Sequence, residues 1–514
     1  MEVALPSSTN EPAIHRLVDD ILGYIFLLNS TIPEHATTVA SSQVCTRWRS
    51  IALNYHTIWG RVIAYHRHPL KWIETLLDRS NPSLLDFGSR IDNINGAILA
   101  EGVLELVFKD IDRLRIFNSQ IPVSSWELVC SRFLQLPAPN LEFVRVVVDY
   151  GVAGHLTHPL FENRAPNLQN LCLCNCTVDF TSPVFMSLTE LYIQEIIIAS
   201  PTVLEWLNIL GQMPSLRWVT LIDAFSSAPA DNICPVVHLR ALDMLSVDGP
   251  FHQSVTLVDH LIVPPHCGLR LSCYGAHLGF DQQRLWANIE KKMDSWAKSA
   301  PNRRLEASST YDHAGYHVAI GNLSERLGDP WGTGAVEVGK GLYTSSSGVD
   351  PVMTITLHVA RNQKAAPLFL SLFTLFKPTF FDTTYLELCI DYYQNVGEEI
   401  FLSLIDSFRG FVNLEKLSLG YYDETTNFPF PLLQHANSVI LPALKSIEFF
   451  STDFYDESGT LLPIAAFLQW RREQGFPVPK IKIIQLEYSN IVDKEYILAH
   501  IQDTVVEITS FIHF

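Results

Sequence analysis

The 514-residue chain is poor in charge, and poorest in bases: charged residues make up 18% of it, and 36 Lys and Arg stand against 54 Asp and Glu. The formal charge of −18 and the lack of any clustered Lys/Arg run exclude phosphate-backbone binding as a main role, because that rests on counterion release by grouped cations. Low charge is not disorder here: 47% of the residues are hydrophobic and 11% aromatic, enough for packed cores. Long apolar runs are missing too. The best, Ala365 to Phe376, is interrupted by Pro367 and is too short to cross a bilayer, so no membrane role is expected. Met1 to Pro12 shows no basic stretch leading into an apolar one, so no secretory leader is expected either. Cysteine is sparse and odd in number, nine residues scattered among apolar neighbours, as reduced core thiols are. The compartment this predicts is the cytoplasm or nucleus, and it makes the Asn-x-Ser/Thr triplets at Asn29, Asn175 and Asn322 chance matches.

Motifs that carry chemistry are absent or incomplete. Gly334-x-x-x-x-Gly339-Lys340 imitates a phosphate loop, yet Gly341 follows where Ser or Thr must hold the metal. Cys172 and Cys174 alternate along a strand and point the same way, but no second Cys or His pair lies at zinc spacing. His252, His260 and His266 are too far apart to share a helical face, and neither G-x-S-x-G nor HExxH occurs. The expectation is a protein without catalytic activity, cofactor or metal.

What is present begins with helical periodicity between Ile14 and Trp59. Leu17, Ile21, Leu22, Ile25 and Phe26 fall on one broad face, with Asp19 and Asp20 in the first turn, where carboxylates suit the helix dipole. Pro33 marks a second helix start, and Val44, Trp48, Ile51 and Ala52 form the next stripe. Three short helices bury only a small core, so a stripe this wide leaves apolar surface for a partner or for the chain's own next domain. His68 to Ser80, with Trp72, Ile73, Leu76 and Leu77 on one face, reads as a further helix joining this unit to the rest.

These residues resemble a known family. The run Ile14-His15-Arg16-Leu17-Val18-Asp19-Asp20-Ile21-Leu22, then Ile25-Phe26, Val44-Cys45-Thr46-Arg47-Trp48-Arg49 and Ile58-Trp59, resembles an F-box motif, over roughly residues 14–60. Val18 stands where the family usually has proline, and Asp20 where it usually has glutamate. The resemblance implies a fungal-type F-box protein. Leu17, Val18, Ile21, Leu22, Ile25, Phe26, Val44, Cys45 and Trp48 would then dock on the Skp adaptor, and through it on a cullin.

After residue 100 the pattern changes to recurring L-x-x-L-x-L segments, such as Leu141-Val144-Val146, Leu168-Leu171-Leu173 and Leu188-Leu191-Ile193, with later copies at Leu414-Leu417-Leu419 and Ile481-Ile484-Leu486. Their last three residues alternate in and out as a short strand requires. Thr202 to Leu210 and Glu398 to Phe408 read as covering helices. The fold expected is α/β: a small three-helix F-box followed by a degenerate leucine-rich-repeat solenoid with short parallel strands and outer helices. By residue, 1–13 is a tail, 14–65 the helical unit, 66–100 a linking helix and lead-in, 101–250 and 351–514 repeats, and 251–350 an irregular insertion with the charged run Arg284 to Ala297 and a Gly/Ser-rich stretch.

The outward strand positions include Arg115, Arg145, Cys172, Tyr192, Thr220, Asp243, Glu387, Ser418, Glu448 and Gln485. Of these, Arg115, Arg145, Tyr192, Asp243, Glu387 and Glu448 are the candidate face for an unknown protein target. The functional expectation is a substrate-recognition adaptor of a Skp–cullin–F-box ubiquitin ligase. The alternative is a stand-alone scaffold whose N-terminal helices merely cap the first repeat.

Overall fold

The computed structural model describes residues 13–30, 35–61, 63, 65, 68–87, 101–148, 155–156, 158–195, 200–226, 234–264 and 266–274. It also describes the strands at 303–311, 316–322, 353–359 and 383–390, and residues 405–406, 408–420, 433–434, 439–450, 461–486, 501 and 504–511. The chain is α/β with parallel sheet, and it divides into two compact units. Of the described residues, one holds those up to Pro201 and Ile209–Trp218; the other holds Thr202–Asn208 and those from Val219 on.

The first unit opens with α1 (Asp19–Asn29), α2 (His35–Ser41), α3 (Thr46–Asn54), α4 (His56–Arg61) and α5 (Leu70–Ser80). α1 packs on α3, with the Phe26 and Trp48 rings 5.2 Å apart. Gly23 lets the two come close, since a Cβ there would meet the Tyr55 ring at 2.3 Å. α4 and α5 have another task. Trp59 is buried and donates its indole N–H to Ala52 O at 2.8 Å, while the Arg79 guanidinium lies over both Trp59 and Trp72, at 5.2 and 5.3 Å. Gly60 sits so close to Leu84 that a Cβ would meet its carbonyl oxygen at 2.3 Å. α4 is thereby pressed against the lead-in to the first strand.

That strand, β1 (Leu85–Phe87), starts a parallel ladder through β2 (Leu114–Ile121), β3 (Phe143–Val148), β5 (Asn170–Cys174) and β7 (Glu190–Gln194). A side ladder pairs β4 (His155–Leu156) with β6 (Thr177–Val178). α6 (Glu101–Phe108) and α7 (Trp126–Val129) lie in the connections. Inward residues Val144, Val146, Leu171, Leu173, Leu191 and Ile193 are buried, as the alternation requires. Behind them runs an aromatic chain: Phe87 stacks on Phe117 at 5.0 Å, Phe117 meets Phe133 at 4.3 Å, and Phe133 meets Phe108 and Phe161. Each fully buried ring contributes about 1.5–3 kcal/mol by leaving water, so this chain carries much of the unit's core. The strands end alike: Asn175 and Glu195 follow β5 and β7 at φ 59° and 54°, a left-handed step that turns the chain off the sheet.

In the second unit β8 (Trp218–Ile222), β10 (Met244–Pro250) and β12 (Gly268–Tyr274) continue in the same style, with β9 (Val237–His238) paired to β11 (Leu261–Ile262). α8 (Val203–Gly211) matches the helix expected from the sequence, and α9 (Phe251–His260) precedes β11. β12 and α9 fall inside the stretch expected to be an irregular insertion. Leu269, Leu271 and Cys273 alternate inward there, and the parallel ladder simply runs on to Tyr274. Next come β13 (Arg303–Tyr311), β14 (Tyr316–Asn322) and β15 (Met353–Val359), in spatial order β12-β15-β14-β13-β16, where β16 is Thr383–Ile390. β15–β14 and β14–β13 are antiparallel, so two reversals restore the original direction and β13 runs parallel to β16. β17 (Lys416–Gly420), β18 (Ser446–Phe450), β19 (Lys480–Leu486) and β20 (Val505–Phe511) extend the parallel ladder, and α10 (Leu461–Glu473) joins β18 to β19. Of the Glu398 to Phe408 helix, only part lies within the described residues. Arg284 to Ala297, the Gly/Ser-rich stretch and the phosphate-loop look-alike lie outside them.

Candidate functional site

The residues expected to meet an adaptor separate into two sets. Leu22 and Phe26 are 0% and 3% exposed and form the helical unit's own core. They are corrected from docking surface to packing, because one helix cannot turn all five residues of so wide a stripe outward. Leu17, Ile25, Cys45 and Trp48 are half-buried. Val18, Ile21 and Val44 stand open, 63%, 47% and 61% exposed, and Tyr24 and Leu28 extend the apolar face along α1.

Local chemistry fixes this face. Val18 caps α1 with an extended backbone (φ −70°, ψ 155°) and no side-chain hydrogen bond. Arg47 supplies the missing restraint: its guanidinium donates to Asp19 Oδ1 at 2.7 and 2.9 Å and to Leu17 O at 2.5 Å. The start of α3 is thereby tied to the start of α1. Cys45 caps α3, its sulfur accepting from Trp48 N at 3.5 Å.

On the sheet, register decides which predicted residues share a row. Asn118, Arg145, Cys172 and Tyr192 are aligned across β2, β3, β5 and β7. Arg115 is not with them. An irregularity between Leu85 and Asp86 shifts the pairing by one residue, and Arg115 makes a two-pronged ion pair with Asp86 at 2.9 and 2.5 Å. It is a strut between β1 and β2 rather than a free contact.

In the second unit Glu387, Ser418, Glu448 and Lys482 occupy one register row; the Glu387 side chain lies outside the described set. Glu448 is buried, 2.8 Å from Lys416 Nζ and 3.7 Å from Lys482 Nζ. Expected to be open to a target, it instead sits between the lysines of the two strands that flank it, pairing with Lys416 and lying near Lys482. Asp243 is partly exposed and lies 3.5 Å from His266 Nε2.

The reading from sequence did not anticipate the polar cluster around β5. Cys172 Sγ and Cys174 Sγ are 4.0 Å apart. Cys174 donates to Gln194 Oε1 at 3.9 Å, Tyr192 Oη donates to the same oxygen at 2.7 Å, and Gln194 Nε2 donates to Glu195 Oε1 at 2.9 Å. Burial pushes the Cys172 thiol up, but the hydrogen bond with Cys174 and the Arg145 guanidinium outweigh it, so Cys172 lies below the ordinary thiol range. Cys174 moves the other way, held protonated by its bond to Cys172 and by burial. Burial also raises the Tyr192 phenol, and the neighbouring thiols add to the shift. The signal in the sequence was the Cys-x-Cys alternation beside an outward Arg one strand away.

Comparison with known proteins adds no assignment: no protein-family model matches the chain, and no curated protein matches it. No described helix is long and apolar enough to cross a membrane.

Proposed function

We propose that the chain is a substrate-recognition adaptor of a Skp–cullin–F-box ubiquitin ligase, a helical F-box followed by a leucine-rich-repeat solenoid. It docks on the Skp adaptor through α1 and the start of α3, and holds a protein target on the polar face of its strands. The observation that carries this reading is the division of labour among the N-terminal helices. α4, braced by α5, packs on the first strand, the task of a terminal cap. That leaves Val18, Ile21, Tyr24, Leu28 and Val44 as open apolar residues with no such task, and a patch of this kind on a soluble surface marks a partner site. The F-box-like order of the residues names the partner. Catalysis belongs to other subunits of the ligase.

The test is co-purification of the full chain with a Skp adaptor and cullin. Ile21→Asp and Val44→Asp place charge on open positions, so both variants keep the wild-type melting temperature and lose the adaptor by at least about tenfold, the effect of roughly 1.4 kcal/mol at an interface. A wild-type chain that is folded yet ignores the adaptor leaves the stand-alone scaffold as the reading. Leu22→Asp is unsuitable as a probe because it breaks the core.

A further inference from the structure

We propose that Cys172 and Cys174 form a two-sulfur site for a soft monovalent metal ion, copper(I), with the Arg145 guanidinium as its counter-charge. The site lies wholly on β3, β5 and β7 and is independent of the helical unit and of the adaptor reading.

The pair is held as two facing sulfurs that the strand keeps from joining. Residues two apart on a strand have Cα atoms about 6.6 Å apart, at the far end of the roughly 4.4–6.8 Å a disulfide accepts, and their Cβ bonds stand side by side out of the pleat rather than converging. Closing one would mean breaking β5, whose backbone is paired on both sides, to β3 and to β7. A bridging ion asks for much less. With metal–thiolate bonds of about 2.3 Å, a linear bridge spans about 4.6 Å, and the sulfurs already stand 4.0 Å apart.

Ligand type and number then choose the metal. Thiolates favour copper(I) over harder ions, and two ligands suffice for it. Zinc sites use four ligands, or three and a water. Among the described residues no group of three or more His, Cys, Asp and Glu side chains converges on one point.

Charge balances as well. Two thiolates and one copper(I) ion carry a net −1, which Arg145 brings to zero, so no unpaired charge is buried. Binding expels the two thiol protons to solvent. Both side chains are nearly closed to water, at 4% and 2% exposure, which shields the reduced ion. The hydrogen bond that Cys174 donates to Gln194 Oε1 belongs to the metal-free thiol and is given up when the ion displaces its proton.

The experiment titrates full-length reduced protein, without oxygen, with copper(I) held by a chromogenic chelator. One equivalent per chain is withdrawn from the chelator, X-ray absorption at the copper edge reports two sulfur neighbours, and zinc(II) offered at the same excess is not retained. Cys172→Ser and Cys174→Ser each lose that equivalent. Arg145→Met keeps both thiols and weakens binding about 10–100-fold, as loss of supporting partners does elsewhere, and Arg145→Lys recovers most of it. Circular dichroism checks that each variant is folded, and the absorption measurement on the unmodified chain stands without any variant. The proposal is overturned by a wild-type chain that withdraws no copper(I), by an equivalent that persists in both serine variants, by equally tight zinc(II), or by a Cys172–Cys174 disulfide that forms under mild oxidation.

Discussion

Arg471 is fully buried on α10, and among the described residues its guanidinium meets carbonyls: Nε donates to Phe476 O at 3.1 Å, Nη1 to Ile440 O at 2.7 Å and Nη2 to Leu441 O at 3.0 Å. Leu441 is left-handed at φ 56°, and the bond from Arg471 holds that turn. Burial lowers the guanidinium to about 10. Arg471→Met strands those carbonyls and is expected to cost about 3 kcal/mol, since each buried unsatisfied group costs about 1–3 kcal/mol; a urea midpoint equal to wild type would refute this role. Buried thiols give the pH dependence. Burial, helped by Glu127, pushes Cys130 up to about 12, above the roughly 8.5 of a free thiol. A raised folded value means stability is whole below pH 8.5 and drains as pH climbs toward 12. Wild type should therefore lose stability relative to Cys130→Ala as pH rises from about 8.5 to 11, in paired urea titrations. The sequence marked Cys130 as one of the core thiols but gave no sign of Arg471's burial. Arg471-Arg472 reads as ordinary cations at a helix end, and only the return of Ile440 and Leu441 beneath them gives the buried one its partners. Likewise the Leu17 to Phe26 stripe announced surplus apolar area, but not that Leu22 and Phe26 would turn in while Val18 and Ile21 stayed out.

The elements themselves were more readable, because alternation is a local property. The segments at Leu141, Leu168, Leu188, Leu414 and Ile481 became β3, β5, β7, β17 and β19, since inward Leu, Val and Ile with polar neighbours specify a half-buried strand whatever surrounds it. β12 was missed although Leu269-Arg270-Leu271-Ser272-Cys273 alternates cleanly, because no L-x-x-L-x-L segment leads into it. The β13–β14 pair was missed for another reason. Nothing local encodes that a hairpin inserts between β15 and β16, so the order β12-β15-β14-β13-β16 is a tertiary fact. Helix α1 offers a sharper case. Its cap, Val18, already has the φ of −70° that a proline ring enforces, and Arg47 steadies the turn from outside by donating to Asp19 and to Leu17 O. Val18→Pro, the residue the F-box family prefers there, is thus expected to raise the melting temperature through about 0.4–1 kcal/mol of lost unfolded-state freedom. A fall in melting temperature would show that the backbone around Leu17 cannot accept the ring.

Across the whole chain, a charge of −18 keeps molecules apart, but it does not protect a sheet edge, whose unpaired N–H and C=O groups invite another strand. At the N-terminal edge protection comes from brevity and cover: β1 is only Leu85–Phe87, and α4 packs on it with Gly60 against the Leu84 carbonyl. The sequence alone could not distinguish an adaptor-binding helical unit from a cap, because both call for apolar surplus. The structure packs α4 on β1, with α5 behind α4, and this gives truncations different expected outcomes. Deleting residues 1–54 removes α1–α3 but keeps α4, α5 and β1, so the remainder should self-associate no more than the full chain in size-exclusion chromatography and fail to bind a Skp adaptor. Deleting residues 1–87 strips β1 as well, baring the edge of β2 along Leu114–Ile121 and the Phe117 face that stacks on Phe87, and that chain should self-associate. If the shorter deletion aggregates as badly as the longer, α1–α3 are themselves the cap, and their open apolar residues lose the argument that they are held in reserve for another subunit.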